Sequence, residues 1–534
     1  MENRKTVPEQ VAEQLLQYAK DGWQSLFQNG AAMQDAVLAD MIELGRNSTY
    51  AKEHGFDGIR TKEEFLQKIP LSEYDDYVAY IQDNMQEDRK QLTALETEYY
   101  LLSTGRSAQG KYYIETKLGA LARQLSIDIW NMSLAGQEPV MQDPNVKMLA
   151  VTNCSPIEEA PNGKPVRRTS GQAAKVLWER AAQLYVFPYE FLEASMSEDD
   201  RDYLTALYTL RERNFNMLFC NNLAYFGVLL DWIEKKPQQM IQDIKNGYMS
   251  VQLSDADRKI LSATFPADPD RAEELQKLLD VYGTLPVAEI WPDFIFSGVW
   301  LAGSVGHFSR DVMKRLPAEM HYRSEPYGAS EAMFSIPMEF SRAYGPLAVY
   351  SCYFEFIPLD GGEPVGMADV QDGAYYELVV TTYSGLYRYR LHDIVCVRGF
   401  TGTTANIEFC CRSTEAYPLP ERTVYGYELT NVIMQTEKET DCLLKLYQGY
   451  VEDDALSVLL EFDKNVCDYH EFCICLRKKL QESGIVTGRF YIMREGYREY
   501  LYHSLMTHGR TIQCLKLPLC AEHRPEAQFV AEIR

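Results

Sequence analysis

Between Glu289 and Phe334 short apolar runs alternate with glycine-bearing loops and a helical segment, and this alternation restricts the chain to an α/β sheet. Glu289-Ile290-Trp291-Pro292 leads into Phe294-Ile295-Phe296. A loop then carries Gly298, Gly303 and Gly306, a helix is predicted near Arg310 to Arg315, and a short strand ends at Glu325. Binding loops of α/β sheets lie at the carboxyl ends of strands, and Tyr327-Gly328-Ala329-Ser330-Glu331-Ala332-Met333-Phe334 sits at that end. Glu331 reads either as a ligand for Mg²⁺, a hard cation that often takes only one or two protein carboxylates, or as an exposed turn glutamate.

A second stretch, 99–114, reads as strand, turn, strand. Strand-favouring Tyr99-Tyr100-Leu101-Leu102 and Tyr112-Tyr113-Ile114 enclose a run of hydroxyls, glycines and one lysine, Ser103 to Lys111. Glycines let several N–H groups turn toward one point, hydroxyls add donors, and the lysine supplies charge, which is what a polyphosphate needs. The spacing is not that of the Gly-x4-Gly-Lys-Ser/Thr loop, so the stretch reads as a phosphate-binding loop or as a plain turn.

At 534 residues the chain exceeds a single core, and two or three domains are expected. Its formal net charge of -24 argues against nucleic acid or an anionic membrane as main partner, so a phosphate site has to be a local basic pocket. Met1 to Lys20 carries charges throughout and does not read as a signal peptide. Asn216 to Trp232 is apolar but is broken by Asn221 and Asn222, and reads as a buried helix rather than a membrane span. Twelve cysteines in a chain this long do not suggest a disulfide scaffold, and reduced thiols and a cytoplasmic location are expected. Cys467, His470, Cys473 and Cys475 match no standard zinc spacing.

Taken in order, Val11 to Met41 is helical and amphipathic, and Thr61-Lys62-Glu63-Glu64 predicts a helix start with a capping box. Thr116 to Ala135 is a predicted helix, Met148 to Asn153 a short strand, and Ala173 to Gly247 helical almost throughout. Arg258 to Tyr282 predicts one more helix. Three strands follow, at 351–358, 375–382 and 386–395, and the two-residue period sets Arg388 and Arg390 on one face of the third. Asp393 beyond them either accepts two ribose hydroxyls or pairs with an arginine. Past Asn406 to Ser413 the elements shorten into an α+β pattern, which predicts a smaller second domain hinged near Arg412.

These motifs together resemble the adenylate-forming superfamily and, within it, the Gretchen Hagen family of auxin-responsive acyl-acid amido synthetases, which has bacterial members. The residues that carry the resemblance include 48–56, 69–77, Tyr327-Gly328-Ala329-Ser330-Glu331, Tyr353-Phe354-Glu355-Phe356-Ile357-Pro358 and Leu386-Tyr387-Arg388-Tyr389-Arg390. The resemblance implies an α/β fold with a large N-terminal α/β domain, 1–411, and a small mobile C-terminal α+β domain, 412–534, with the site between them. It implies a ligase that adenylates a small-molecule carboxylic acid with ATP and Mg²⁺ and conjugates it to an amino acid. By position, Ser103, Thr104, Gly105, Arg106, Ser107, Gly110 and Lys111 would hold the β- and γ-phosphates. Tyr327, Gly328 and Ser330 would border the adenine and α-phosphate, Glu331 would bind Mg²⁺, and Asp393 the ribose. Arg412 would mark the hinge, and Lys516 would swing in to stabilise charge on the reacting phosphate.

The chain departs from the family's pattern in three places. Arg106 follows Ser103-Thr104-Gly105 where a threonine is usual, in a loop one residue longer. His392 replaces the usual glycine before the ribose aspartate, and Cys514, Leu515 and Leu519 alter the surroundings of Lys516. Arginine at 106 would either grip pyrophosphate by a bidentate fork or occupy the phosphate's space. Two further readings therefore stand beside the ligase: a diverged acyl- or nucleotide-binding protein without catalysis, and an adenylating enzyme with a thiol acceptor such as coenzyme A.

Overall fold

Five hydrophobic residues and one asparagine, Phe215–Cys220, form a strand at the centre of a parallel four-stranded sheet. The sheet runs Lys147–Ala150, Phe215–Cys220, Phe296–Val299, His321–Ser324, with every neighbouring pair parallel. The computed structural model describes residues 6–21, 23–103, 110–151, 158–168, 178, 181–463, 468–506, 517–521 and 529–533. The expected helix from Asn216 is corrected here. Both faces of a parallel strand are buried, so its apolar run has no alternation to set it apart from a buried helix. The helix itself is Leu223–Lys235, capped by Asn222, whose side chain accepts from Ala224 N–H.

Two more sheets complete the larger part of the chain. Thr97–Leu102 pairs antiparallel with Tyr112–Thr116 and parallel with Pro165–Arg167. A six-stranded antiparallel sheet runs Tyr344–Pro346, Thr404–Arg412, Tyr389–Thr401, Tyr375–Thr382, Cys352–Pro358, Val365–Gly366. Helices cover these sheets, among them Val7–Asp21, Gly30–Gly45 and Lys117–Ala135. The predicted capping box is present at Lys62–Lys68, where Thr61 accepts from Glu64 N–H and Glu64 reaches back. The expected helix at 258–282 is two helices, Asp255–Thr264 and Pro269–Tyr282. Pro266 and Pro269 separate them, since proline removes a donor and clashes with the preceding turn.

One continuous apolar core spans Val11 to Ile407, and a second gathers Tyr417 to Leu519 together with Phe308. The second core packs the helices Gly426–Thr440 and Tyr469–Glu482 on a sheet ordered Leu444–Glu452, Ala455–Phe462, Thr487–Met493, Phe529–Ile533. The fold is thus mixed α/β followed by α+β. Eight cysteines of the described residues are free thiols and Cys442 is disulfide-bonded, so the expectation of reduced thiols fails at that position. Among the described residues no helix is long and apolar enough to cross a membrane.

Candidate active site

The two predicted strands within 99–114 are present and pair antiparallel, and the described residues at their ends show how they close. Ser103 N–H donates to the Lys111 carbonyl at 2.9 Å, and Lys111 N–H donates to Ser103 Oγ at 3.2 Å. At Gly110 a Cβ would lie 2.5 Å from Leu102 Cδ1 and 2.8 Å from the Ser103 carbonyl oxygen, so only glycine fits the closing strand. Lys111 Nζ lies over the Tyr74 ring, 4.6 Å from its centroid. Thr104, Gly105, Arg106 and Ser107 lie outside the described residues, as does Lys516.

The second predicted loop is a tight hairpin. Tyr327–Gly328 pairs with Met333–Ser335, and Ala329 N–H donates to the Ala332 carbonyl at 2.9 Å, which leaves Ser330 and Glu331 at the turn. Gly328 lies against Met333, whose sulfur a Cβ at 328 would strike. Enclosure raises the pKa of the Glu331 carboxyl, while a hydrogen bond with the Tyr113 hydroxyl opposes the rise. Tyr113 comes from the strand that follows Lys111, and its hydroxyl also meets Tyr389 Oη at 3.2 Å. Through Tyr113 the first hairpin therefore touches the second.

Asp393 joins the same cluster from the six-stranded sheet. Tyr327 Oη donates to Asp393 Oδ2 at 2.6 Å, and Arg412 Nε stands 3.5 Å from Asp393 Oδ1. Asp393 and Arg412 are direct partners across neighbouring strands. The Asp393 carboxylate is the main influence holding the Arg412 guanidinium in its charged form, and its neighbour Glu331 adds to this. The side chain of Arg412 is 53% exposed. Trp300, Phe409 and Phe334 surround Tyr327, with ring centroids 5.8, 5.5 and 5.0 Å away. Of the predicted residues the structure thus brings Tyr327, Gly328, Ser330, Glu331, Asp393 and Arg412 together.

The expectation about Arg388 is corrected. Arg388 precedes the strand Tyr389–Thr401 and has φ of 48°, so it does not share a face with Arg390. It grips buried Glu355 through Nε and Nη2, the latter at 2.8 Å, while Arg390 grips Glu377 at 2.8 Å. Each arginine closes its own ion pair in the sheet. His392, at φ 59°, adopts the left-handed conformation that glycine takes easily and histidine tolerates. Its ring faces Glu73, with Nε2 2.5 Å from Oε2, and Nδ1 lies 3.3 Å from Ser413 Oγ.

Four residues of the site were not read from sequence: Tyr113, Tyr389, Arg123 and Glu115. Arg123 donates to the carbonyls of Ala329 and Ser330 and pairs with Glu115. The signal was a charged residue, Glu115, in the otherwise apolar strand Tyr112–Thr116. Just past the last strand of the parallel sheet, burial pushes the Glu325 carboxyl up to about 8, and among the described residues no ion pair reaches it.

Two family models match this chain. The GH3 family N-terminal domain covers residues 20–318 and the GH3 family central domain residues 345–412. The chain belongs to the GH3 family. Among relatives of this GH3 chain, a putative indole-3-acetic acid-amido synthetase of Arabidopsis thaliana is 23% identical, over 92% of each chain. A jasmonoyl–L-amino acid synthetase of Nicotiana attenuata is 26% identical over 53% of this chain and 54% of its own. In fold, the GH3 chain superposes on an Arabidopsis acyl acid amido synthetase solved with 2,4-DB, with a TM-score of 0.82, 18% identity, and coverage of 100% of this chain and 98% of that one. The Gretchen Hagen resemblance is borne out, and so is the expected α/β fold.

Proposed function

We propose that this protein is an ATP-dependent acyl-acid amido synthetase that adenylates a small-molecule carboxylic acid and passes the acyl group to the amine of an amino acid. The observation that carries this reading is the convergence of the Glu331 hairpin on Asp393 and Arg412, in a chain whose GH3 relatives bear amido synthetase names. In the first step the acid's carboxylate attacks the α-phosphorus of ATP and pyrophosphate leaves. In the second the amine attacks the acyl carbon, AMP leaves, and an amide remains. Neither step needs a covalent bond to the protein, so positioning and charge stabilisation supply the catalysis.

Asp393 receives the ribose hydroxyls, Tyr327 and its aromatic neighbours border the adenine, and the Ser103 to Lys111 loop holds the outer phosphates. Mg²⁺ suits the oxygen donors present. Burial first and then the neighbouring Asp393 carboxylate raise the proton affinity of Glu331, and a bound cation would relieve this. Among the described residues no larger group of His, Cys, Asp or Glu could hold a metal. Glu331 would hold Mg²⁺ as its one protein carboxylate, which suits a cation that often takes only one or two from the protein. When bound, Mg²⁺ neutralises charge on the phosphates.

The domain boundary belongs to the same proposal: 1–411 forms the substrate-binding body and 412–534 a mobile lobe that brings Lys516 to the reacting phosphate. The two separate apolar cores support that division. ATP–pyrophosphate exchange with a panel of carboxylic acids and Mg²⁺ tests the reading. Acid-dependent exchange is expected in the native protein, with Glu331→Ala reducing it by about 10² or more. Exchange absent with every acid, yet appearing in Arg106→Thr, would make the protein a binder instead.

A further inference from the structure

Three segments must keep fixed relative positions for the site to work: the strand after the phosphate loop, the Glu331 hairpin, and the strand that carries Asp393. One buried cluster touches the first two and the turn that leads into the third. Arg123, on the helix Lys117–Ala135, donates through Nη1 to the Ala329 carbonyl at 2.9 Å and through Nη2 to the Ser330 carbonyl at 3.1 Å. The same guanidinium pairs with Glu115 Oε2 through Nε at 3.3 Å and Nη2 at 3.1 Å. Glu115 lies on the strand that begins at Tyr112, directly after Lys111.

The other carboxylate oxygen, Oε1, accepts from Ser384 Oγ at 3.0 Å. Ser384 sits in the turn between Tyr375–Thr382 and Tyr389–Thr401, and its Oγ also accepts from Thr116 N–H at 3.3 Å. Gly119 makes the room: a Cβ there would strike Glu115 Oε1 and come within 2.8 Å of Ser384 Oγ. Arg123 and Glu115 are both buried. A planar guanidinium with donors on two edges can hold a carboxylate on one side and two successive carbonyls on the other, which an ammonium cannot reproduce fully.

We propose that Arg123 is a positioning residue for the adenylation step, holding the peptide that precedes Glu331 in register with the phosphate loop and the Asp393 strand through Glu115 and Ser384. The assignment rests on the adenylating function proposed above. Arg123 meets the site residues only through backbone carbonyls, that of Ser330 among them, and not through their side chains. It acts on Glu331 through the two carbonyls that fix the direction of its turn, and a small displacement of a site group has large kinetic consequences.

The test compares native protein with Arg123→Met, Arg123→Lys, Glu115→Gln and the double variant Glu115→Gln/Arg123→Met. Arg123→Met alone leaves a buried carboxylate without its partner and is the variant most prone to misfold. The double variant removes both charges and keeps the comparison usable. Two readouts are taken: pyrophosphate exchange resolved into KM for ATP·Mg²⁺ and KM for the acid, and hydrogen–deuterium exchange of the peptide 327–335, which requires no turnover. We expect the double variant to show at least tenfold lower exchange activity per KM for ATP·Mg²⁺, with KM for the acid within about twofold. Its 327–335 peptide should exchange faster, and Arg123→Lys should recover part of both. Unchanged exchange of that peptide in the double variant would overturn the assignment whether or not the native protein turns over. So would a rise of tenfold or more in KM for the acid. Native protein that shows no acid-dependent turnover, but faster 327–335 exchange in the double variant, would remove the functional reading and leave the positioning of this turn by Arg123 standing.

Discussion

Glu325 shows how much a single residue's surroundings decide. Its carboxyl follows the last strand of the parallel sheet, and burial lifts its pKa to about 8 from an ordinary value near 4.5. A carboxyl with a raised folded-state pKa binds its proton more tightly in the folded than in the unfolded chain. Its contribution to stability is therefore complete below about pH 4.5 and is lost as pH rises through about 8. Glu325→Gln, which cannot ionise, should flatten the decline in Tm across that window and leave Tm at pH 5 nearly unchanged. Tm measured by differential scanning calorimetry from pH 5 to 9 checks this, and an equally steep decline in the variant would refute it. Glu331, whose proton affinity is also raised, differs in having Tyr113 as a partner and Asp393 as a neighbour. Both carboxylates were exposed to sequence reasoning, but only Glu331 sat within a motif; nothing in Arg323-Ser324-Glu325-Pro326 signals an enclosed acid.

At the scale of elements, the short helix Gly303–Phe308 connects the parallel sheet to the second core. It carries His307 and Phe308, and Phe308 packs among the residues of that second core. Gly306 lies so close to the Leu301 carbonyl that an added Cβ would run into backbone, which cannot move aside as a flexible side chain can. Gly306→Ala should therefore cost about 1–3 kcal/mol of stability, despite alanine's better helix propensity. Chemical denaturation of the variant measures the loss, and a neutral or stabilising effect would mean the turn from Leu301 relaxes freely. The glycines at 298, 303 and 306 were read in sequence as one loop; they divide between a strand, a helix start and a close packing contact.

On the scale of the whole molecule, the two cores are joined by ion pairs along one side. Glu437, on Gly426–Thr440, meets His307 Nε2 with both oxygens at 3.0 Å and Arg310 Nη1 at 2.7 Å. Asp311 pairs with Arg498 at 2.7 Å and Lys314 with Asp463 at 3.1 Å. Glu437 and His307 are almost fully buried, and their contacts hold the Glu437 carboxyl below its usual range while burial lowers His307. Removing a buried charged partner leaves the others unsatisfied, so Glu437→Ala should destabilise the protein by roughly 2–5 kcal/mol. Because the damage falls between the cores, the segment near Arg412 should also become easier to cleave. Limited proteolysis with mass mapping reads this, and cleavage at unchanged rate would mean the lobes do not depend on Glu437 for their contact.

The local elements were largely legible in the sequence because they follow from short-range rules. The hairpin at 99–114, the capping box at Thr61 and the strand 375–382 are specified by alternation, capping and turn residues within a few positions. The residues proposed for the site came from the family resemblance rather than from spacing. What sequence reasoning missed depended on partners far along the chain. Phe215–Cys220 is a strand because parallel neighbours cover both of its edges, and an apolar run alone carries no such information. Arg388 left the strand to meet Glu355, and Arg123 became part of the site only when Ala329 and Ser330, more than two hundred residues away, turned their carbonyls toward it. The chain by itself thus determined its family and most of its local elements. The pairing of buried charges and the register between loops were decided only in the tertiary structure, because a buried charge is tolerated only where a distant segment supplies its partner.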